Sequence, residues 1–305
     1  MTIGERIMLT LKGIGIGAAN VIPGVSGGTI AFLTGIYERL INSLKSFNIT
    51  TTKLLFKGKI KEWAKQTDVV FLFYILLGVA ISAFSLAKLM VYLLHNEPIA
   101  TWSFFFGLVL VSCWYVTKEI KKWNVGVWFS LLLGTAIAIW VSLASPTETP
   151  DTWWFLLIAG AVSVCGMILP GISGSFLLVL MVKYEDLMNS ISTLNKTRLL
   201  LYGVGAIAGI LAFSHLLGYL LKHWYNQTIA LLTGFMVGSL IKIWPWQQII
   251  QQEGDNAISR PILPSQFEQI YSKNPQIATA IIMAVLGIAL VVIVEYWAAK
   301  GKKER

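Results

Sequence analysis

The sequence predicts an all-α polytopic membrane protein made of two inverted-topology repeats, each a re-entrant helical hairpin followed by three transmembrane helices. Three observations lead to this fold class: the composition, a doubled Pro-Gly-x-Ser-Gly motif and the clustering of basic residues. Of the 305 residues, 56% are hydrophobic and 13% are charged, about half the charge of an ordinary soluble domain. Several apolar runs reach the roughly 20 residues that one bilayer crossing needs. A soluble globule is therefore excluded.

The first repeat is assigned to residues 1–145. Its opening apolar stretch is too long for one comfortable crossing, and Pro23 and Gly24 interrupt it. Proline removes a backbone donor and glycine tolerates a sharp reversal, so we predict a re-entrant hairpin over residues 7–44. No small-residue cleavage site closes the N-terminal stretch, which we interpret as a retained segment. The three crossings that follow are predicted at 69–94, 99–117 and 125–144.

The second repeat is assigned to residues 146–305 because its motif duplicates the first. Residues 20–43 and 167–190 are identical at 10 of 24 positions, with a constant offset of 147. The helices after the motifs also align, at an offset of 127, from Tyr92 and Tyr219. This repeat is therefore predicted to contain a hairpin at 153–190 and crossings at 199–221, 228–244 and 277–299.

Basic residues indicate how the chain is oriented. Six lysines lie between positions 45 and 65, three lie at 118–122, and the C-terminal tail is basic. Cytoplasmic loops of membrane proteins are typically basic, and re-entrant hairpins place all three clusters on one side. Both termini are thus predicted to be cytoplasmic, and the net charge of +9 indicates orientation and not nucleic-acid binding. Three crossings invert the second half, as in secondary transporters.

The doubled motif predicts an anion site. Each copy starts a half-helix with backbone donors, hydroxyls and small residues, and helix N-termini favour anions. The alternative is that the small residues only allow close helix packing. The residues predicted to hold a phosphate headgroup are Pro23, Gly24, Ser26, Gly27, Gly28, Thr29, Pro170, Gly171, Ser173, Gly174 and Ser175.

Four charged residues just past the half-helices are candidates for charge or proton coupling: Glu38, Arg39, Lys183 and Glu185. Ionisable groups near membrane depth are functional candidates. The cations could neutralise a phosphate, and a carboxylate could carry a proton if burial raised its pKa. The alternative is that they form interfacial ion pairs. The cysteines and histidines show no metal-ligand spacing, and no catalytic triad motif occurs, so we predict no metal, no cofactor and no catalytic residue.

The strings NVIPGVSGGTIAFLTGIYERLI and MILPGISGSFLLVLMVKYEDL resemble the membrane family known as domain of unknown function 368, over essentially the whole chain. Studied members of that family are similar to polyprenyl-phosphate translocases. The resemblance implies a flippase that returns undecaprenyl phosphate to the cytoplasmic leaflet of a bacterial or archaeal cytoplasmic membrane, for reuse in cell-wall synthesis. It also implies two partners, the polyprenyl-phosphate lipid and the bilayer.

Two other functions stay open at this point. Undecaprenyl-diphosphate phosphatases also pair re-entrant hairpins, but their PGxSRS string carries a phosphate-binding arginine where this chain has Gly27 and Gly174. Phosphoryl transfer needs charge stabilisation of that kind, so a phosphatase is the second choice. The third is a small-anion transporter on the same scaffold, since an anion site says nothing about a lipid tail.

Overall fold

The computed structural model describes residues 1–21, 26–253 and 256–303, which are mostly helical. The first half contains α1 (Ile3–Val21), α2 (Gly27–Leu33), α3 (Tyr37–Lys45), α4 (Ile49–Phe56), α5 (Ile60–Gln66), α6 (Val69–Asn96), α7 (Pro98–Thr117) and α8 (Val125–Leu143). The second half contains α9 (Trp153–Ile168), α10 (Gly174–Leu180), α11 (Tyr184–Ser192), α12 (Lys196–His223), α13 (Tyr225–Ser239), β1 (Gln247–Glu253), β2 (Asn256–Pro261), α14 (Pro264–Tyr271) and α15 (Ile277–Lys303).

The offsets found in the sequence recur in the helix boundaries. Helices α2 and α10 each have seven residues and begin at Gly27 and Gly174, 147 positions apart. Helices α3 and α11 each have nine residues at the same offset. Helices α6 and α12 each have 28 residues and begin at Val69 and Lys196, 127 positions apart. Equivalent segments of the two halves therefore fold alike.

Helix pairing repeats as well. Helix α1 packs along α6 as α9 packs along α12, and α7 packs along α15 as α13 packs along α8. Glycines allow the backbones to touch at these crossings. A Cβ added at Gly78 would lie 2.1 Å from the carbonyl oxygen of Thr10, and one added at the equivalent Gly205 would lie 2.0 Å from that of Leu157. Small residues at helix contacts are typical of membrane bundles.

Within the described residues, three helices are long and apolar enough to cross a membrane alone: α7, α8 and α12. Helices α5 and α6 together form a fourth candidate, bent by 67° between them. Helix α9 is apolar but shorter, as is the Ile277–Ile293 part of α15. The chain is thus a multi-pass membrane protein. The crossing predicted at 228–244 is too long, because α13 ends at Ser239 after 15 residues, about 22 Å at 1.5 Å per residue.

Two regions differ from the prediction. The lysine-rich segment 45–68 is not a plain loop, because it contains α4 and α5. Asn48 starts α4 by accepting hydrogen bonds from the backbone N–H groups of Thr50 and Thr51, a standard helix cap. The antiparallel pair β1–β2 departs from the predicted all-α class. It lies with α14 between α13 and α15, in a stretch where the sequence analysis placed no element.

Candidate functional site

The structure brings the described residues of the two Pro-Gly-x-Ser-Gly motifs into direct contact. The hydroxyl of Ser26, which precedes α2, donates a hydrogen bond to the carbonyl oxygen of Met167 at 3.0 Å. In the opposite direction, the backbone N–H of Gly171 donates to Oγ1 of Thr29 at 3.1 Å. These bonds join residues more than 140 positions apart. The two half-helices α2 and α10 consequently start from one shared junction.

The first turn uses much of its own hydrogen-bonding capacity. The N–H of Gly27 donates to Oδ1 of Asn20 at 2.8 Å, and the N–H of Gly28 donates to the hydroxyl of Ser26 at 3.1 Å. These two donors, expected to face an anion, are therefore directed to the protein itself. Asn20 takes part although the sequence analysis did not include it among the site residues. Pro23 and Gly24 lie outside the described residues.

The second turn is more open in its side-chain bonding. Pro170 is buried, and Gly171 adopts a left-handed conformation with φ +81°, which glycine accepts without steric cost. The hydroxyl of Ser173 makes no capping bond to α10. Instead it lies 2.9 Å from the hydroxyl of Ser175. Each of these two hydroxyls can rotate toward a third group without breaking a backbone contact.

A cavity of about 120 Å³ lies between the turns, well above the roughly 10–15 Å³ that one water molecule requires. Among the described residues its lining contains no charged side chain. The polar groups come from both halves, and the lining residues are Asn20, Ser26, Met167, Ile172, Ser173, Gly174 and Ser175. The site is thus polar, uncharged and shared between the repeats.

The glycines of the motif also have a packing role. A Cβ added at Gly28 would lie 2.3 Å from the carbonyl oxygen of Ile168, and one added at Gly174 would lie 2.2 Å from that of Ser163. Real Cβ atoms do not approach backbone so closely. Packing alone therefore accounts for glycine at these two positions, and a substitution there cannot separate the packing explanation from the anion-binding one.

A larger cavity, of about 610 Å³, opens at the far end of α2 and is called the inner cavity below. It is lined by charged groups that include Glu38, Arg39, Asp68 and Glu119. Arg39 pairs with Asp68, with Nε 2.6 Å and Nη2 3.1 Å from the two carboxylate oxygens. Glu38 is exposed and lies close enough to Tyr225 to help burial raise the pKa of that phenol.

The equivalent end of α10 is bridged by ion pairs. Lys183 is buried, and its Nζ lies 3.4 Å from Oδ1 of Asp151. Arg198 pairs with the same Asp151 and, at 2.8 Å, with Asp186. Glu185 is exposed and does not provide the partner of Lys183. We call Asp151, Lys183, Asp186 and Arg198 the closed-end ion cluster.

Sequence reasoning missed several of these charged residues. The acidic partners Asp68 and Asp151 lie far along the chain from the cations they bind, so no local spacing indicates them. Lys242 was missed too. It is buried, and its ammonium lies 4.4 Å from the centre of the Phe176 ring at the start of α10, within cation–π range. A lone lysine inside the apolar run 228–244 was the available signal.

Fold and site together define a multi-pass helical membrane protein in which two duplicated broken-helix turns meet at a polar cavity. The chain belongs to the VCA0040-like family, described as undecaprenyl phosphate translocase-like, whose model matches residues 16–260. The family resemblance seen in the sequence is thereby confirmed.

Two relatives extend the match to most of the chain. The chain is 37% identical over 296 residues to a polyprenyl-phosphate transporter of Vibrio cholerae serotype O1, covering 95% of this chain and 96% of the relative. It is 35% identical over 254 residues to a polyprenyl-phosphate transporter of Staphylococcus aureus, covering 77% and 85%. No solved structure matches the chain.

Proposed function

We propose that this protein moves polyprenyl phosphate across the cytoplasmic membrane and holds the phosphate between the two turns. The observation that carries the proposal is the polar cavity lined by Ser26 of one repeat and Ser173 of the other. Membership of a translocase-like family and two relatives named polyprenyl-phosphate transporters support the lipid as the substrate. Undecaprenyl phosphate, the recycled carrier of cell-envelope synthesis, is the specific lipid we propose.

The groups that would hold the phosphate are the side-chain amide of Asn20 and three hydroxyls, those of Ser26, Ser173 and Ser175. Ser173 and Ser175 bond to each other, so either can turn its proton toward a phosphate oxygen. Ser26 would have to leave the Met167 carbonyl to do the same. Helices α2 and α10 have only seven residues each, so we assign little of the binding to their dipoles, which act only near a helix end.

Inverted topology is part of the proposal. An odd number of crossings in each half reverses the second half relative to the first, and equivalent helix pairs in both halves support such a relation. With the basic segments inside, both termini would be cytoplasmic. The inner cavity would then open to the cytoplasm, and the closed-end ion cluster would seal the outer side. Exchange of these two arrangements between the halves gives alternating access.

Charge balance is the remaining part of the mechanism. A phosphate carried through the membrane needs a compensating charge, and we assign this role to Arg39 on the inner side and Lys183 on the outer side. Both cations already have carboxylate partners, so the phosphate would take the place of a carboxylate on the cation. The displaced carboxylate would then be solvated by water or neutralised by a proton. Glu38 and Glu185 are the candidates for proton coupling, and of the two Glu38 lines the inner cavity.

A phosphatase is the second candidate, and the site favours it less. Phosphoryl transfer requires donors or cations aimed at the charge that develops on the transferred group. At the arginine position of the phosphatase motif this chain has Gly27 and Gly174, and within the described residues no basic side chain lines the cavity. A translocase binds the same headgroup before and after the step and forms no bond. A small-anion transporter would use the same site without a lipid tail.

The test uses purified protein in vesicles that contain polyprenyl phosphate. The wild type should move the lipid between leaflets, and the double variant Ser26→Ala, Ser173→Ala should be slower by roughly ten- to a hundredfold, because a lost buried donor costs about 1–3 kcal/mol. Ser112→Ala is the matched control, since among the described residues its buried hydroxyl bonds within α7 alone, to the Leu108 carbonyl. Wild-type transport by the double variant would reject the site. Steady phosphate release from polyprenyl diphosphate that needs Ser26 and Ser173 would favour the phosphatase.

A further inference from the structure

A second cavity lies beside the inner cavity and shares one residue with it. It has a volume of about 570 Å³ and is lined by residues between Met1 and Lys12, the carboxylate Glu5 among them, and by Arg39 of α3. Arg39 also lines the inner cavity. One guanidinium therefore stands between an aqueous space and a groove along the first helix, which we call the α1 groove.

One end of the α1 groove is basic. The ammonium of Lys12 is held at this end by a hydrogen bond of 2.6 Å to the carbonyl oxygen of Thr34, at the C-terminal end of α2. Arg39 uses Nε and Nη2 for Asp68, but a guanidinium has five N–H donors. The Arg39 side chain is 47% exposed, and ion pairs this exposed to solvent are weak. A phosphate can therefore engage Arg39 at little cost.

The wall of the α1 groove is apolar and faces outward. Its exposed apolar residues are Met8, at 54%, and Met1, at 46%, and the buried Leu9 also lines it. Large apolar side chains on the surface of a membrane protein face lipid tails. The groove thus combines two cations at one end with exposed apolar side chains, which complements the charge and polarity of a lipid phosphate. Its carboxylate, Glu5, accepts a hydrogen bond from the backbone N–H of Thr2 at the N-terminal end of the helix.

The second half does not repeat this arrangement. At the offset of 147, Lys12 corresponds to Ala159 and Arg39 corresponds to Asp186. Ala159 is fully buried, and Asp186 is bound to Arg198 and to the hydroxyl of Tyr202. The basic groove therefore belongs to one half, and in the inverted arrangement it belongs to one leaflet.

We infer that the α1 groove is the lateral portal through which polyprenyl phosphate passes between the central site and the leaflet beside α3. The phosphate rests on Lys12 and Arg39 while the chain lies along Met8 in the bilayer. Lys12 is eight residues from Asn20, which lines the central cavity, so the headgroup travels about 12 Å along α1. This inference rests on the proposed lipid substrate and adds the route by which that substrate leaves or enters.

Photocrosslinking tests the portal directly. The photoreactive residue p-benzoylphenylalanine replaces Met8 in the groove or, as a matched control, Leu11, which is exposed to a similar degree on the same helix but lines a different cavity. Purified protein in vesicles is irradiated with polyprenyl phosphate, with the neutral polyprenol or with phosphatidylglycerol. With polyprenyl phosphate, we expect the adduct at position 8 to exceed the adduct at position 11 by about tenfold. At position 8, it should also exceed the polyprenol adduct by about tenfold, because polyprenol lacks the charge-assisted hydrogen bonds of the phosphate.

Removing the cations separates a phosphate portal from general lipid contact. The double variant Lys12→Gln, Arg39→Gln should reduce the position 8 adduct by at least the same factor. The control Arg6→Gln should leave the adduct unchanged, because Arg6 is an exposed cation of α1 that lies over Tyr74, outside the groove. Lys12→Arg with Arg39→Lys keeps both charges and should retain the adduct if the first pair of changes has not merely disturbed folding. Equal adducts at positions 8 and 11, or equal yields with phosphatidylglycerol, would overturn the portal.

The outcome is independent of the central site. Absence of the adduct in a protein whose transport still depends on Ser26 and Ser173 would reject the portal and leave the proposed function standing. An adduct in a protein that moves no lipid would instead reject the proposed function.

Discussion

Arg39 and Asp186 occupy equivalent positions in the two halves, and they carry opposite charges and bind opposite partners. Arg39 of α3 pairs with Asp68 and lies 4.4 Å from the Phe71 ring centre at the start of α6. Asp186 of α11 pairs with Arg198, and Arg198 is the position of α12 that corresponds to Phe71 at the offset of 127. The same joint between two helices is thus held by an ion pair in both halves, but with the charges exchanged.

The two ion pairs should differ in strength. Arg198 and Asp186 are 27% and 24% exposed, whereas Arg39 and Asp68 are 47% and 33% exposed. We expect Asp186→Asn to lower the free energy of unfolding by about 1–3 kcal/mol, as for a partly buried charged hydrogen bond, and Asp68→Asn by about 0–1 kcal/mol. Thermal unfolding of the purified protein in detergent measures both, and equal losses would contradict the asymmetry.

The closed-end ion cluster should weaken in acid. The hydrogen bond from Arg198, followed by the charges of Arg198 and Lys183, holds the pKa of Asp151 below its ordinary value of 3.8. A lowered pKa in the folded protein means that the ionised form stabilises the fold above pH 3.8, and this contribution is lost as the pH falls through the folded pKa. Asp151→Asn should therefore destabilise the protein at pH 7, and the difference from wild type should shrink below pH 4. A difference that stayed constant from pH 7 to pH 3 would show that the Asp151 charge contributes nothing.

Two glycines of α12 should respond oppositely to alanine. At Gly205 the added Cβ would lie 2.0 Å from the Leu157 carbonyl oxygen, so Gly205→Ala should force α9 and α12 apart and reduce the yield of folded protein. Among the described residues, no atom beyond the neighbouring turns of α12 lies within 4 Å of a Cβ placed at Gly203. Gly203→Ala should be neutral or stabilising by up to about 1 kcal/mol through helix propensity. Thermal unfolding compares the two, and tolerance at Gly205 would mean that the helices are less closely packed.

Proton coupling predicts a specific role for Glu38. Because Glu38 lines the inner cavity beside Tyr225, Glu38→Gln should flatten the pH dependence of transport in vesicles. Glu185→Gln is the matched comparison at the equivalent position of the second half. An unchanged pH profile in both variants would leave these carboxylates without a coupling role and point to another charge carrier.

Topology is tested by labelling single cysteines in cells. After replacement of Cys113 and Cys165, a cysteine at Lys57, the exposed residue that ends α4, should react only with reagents that reach the cytoplasm. A cysteine at the exposed Glu148 should react with an impermeant external reagent. The reverse pattern would either invert the whole assignment or make the first hairpin a crossing. External labelling at both positions would contradict the three crossings predicted between them.

The sequence alone determined the class of protein and its duplication. Composition required a membrane protein, because so many apolar residues cannot be covered by so few charges, and the offsets of 147 and 127 predicted which helices correspond. Local signals also identified Ser26, Thr29, Gly171 and Ser173, which the structure does bring together. These properties depend on residues near one another along the chain, or on a pattern copied from one half to the other.

Tertiary structure alone decided which charges pair and which donors remain available. Arg39 pairs with Asp68 and Lys183 with Asp151, although a glutamate lies close to each cation in the sequence. Adjacent residues of a helix point in different directions, whereas residues distant along the chain meet where helices pack. Asn20 satisfies the Gly27 donor only because the chain folds back on itself. The α1 groove likewise exists only where α1 and α3 leave a gap, and no spacing of residues along a chain specifies a gap between two helices.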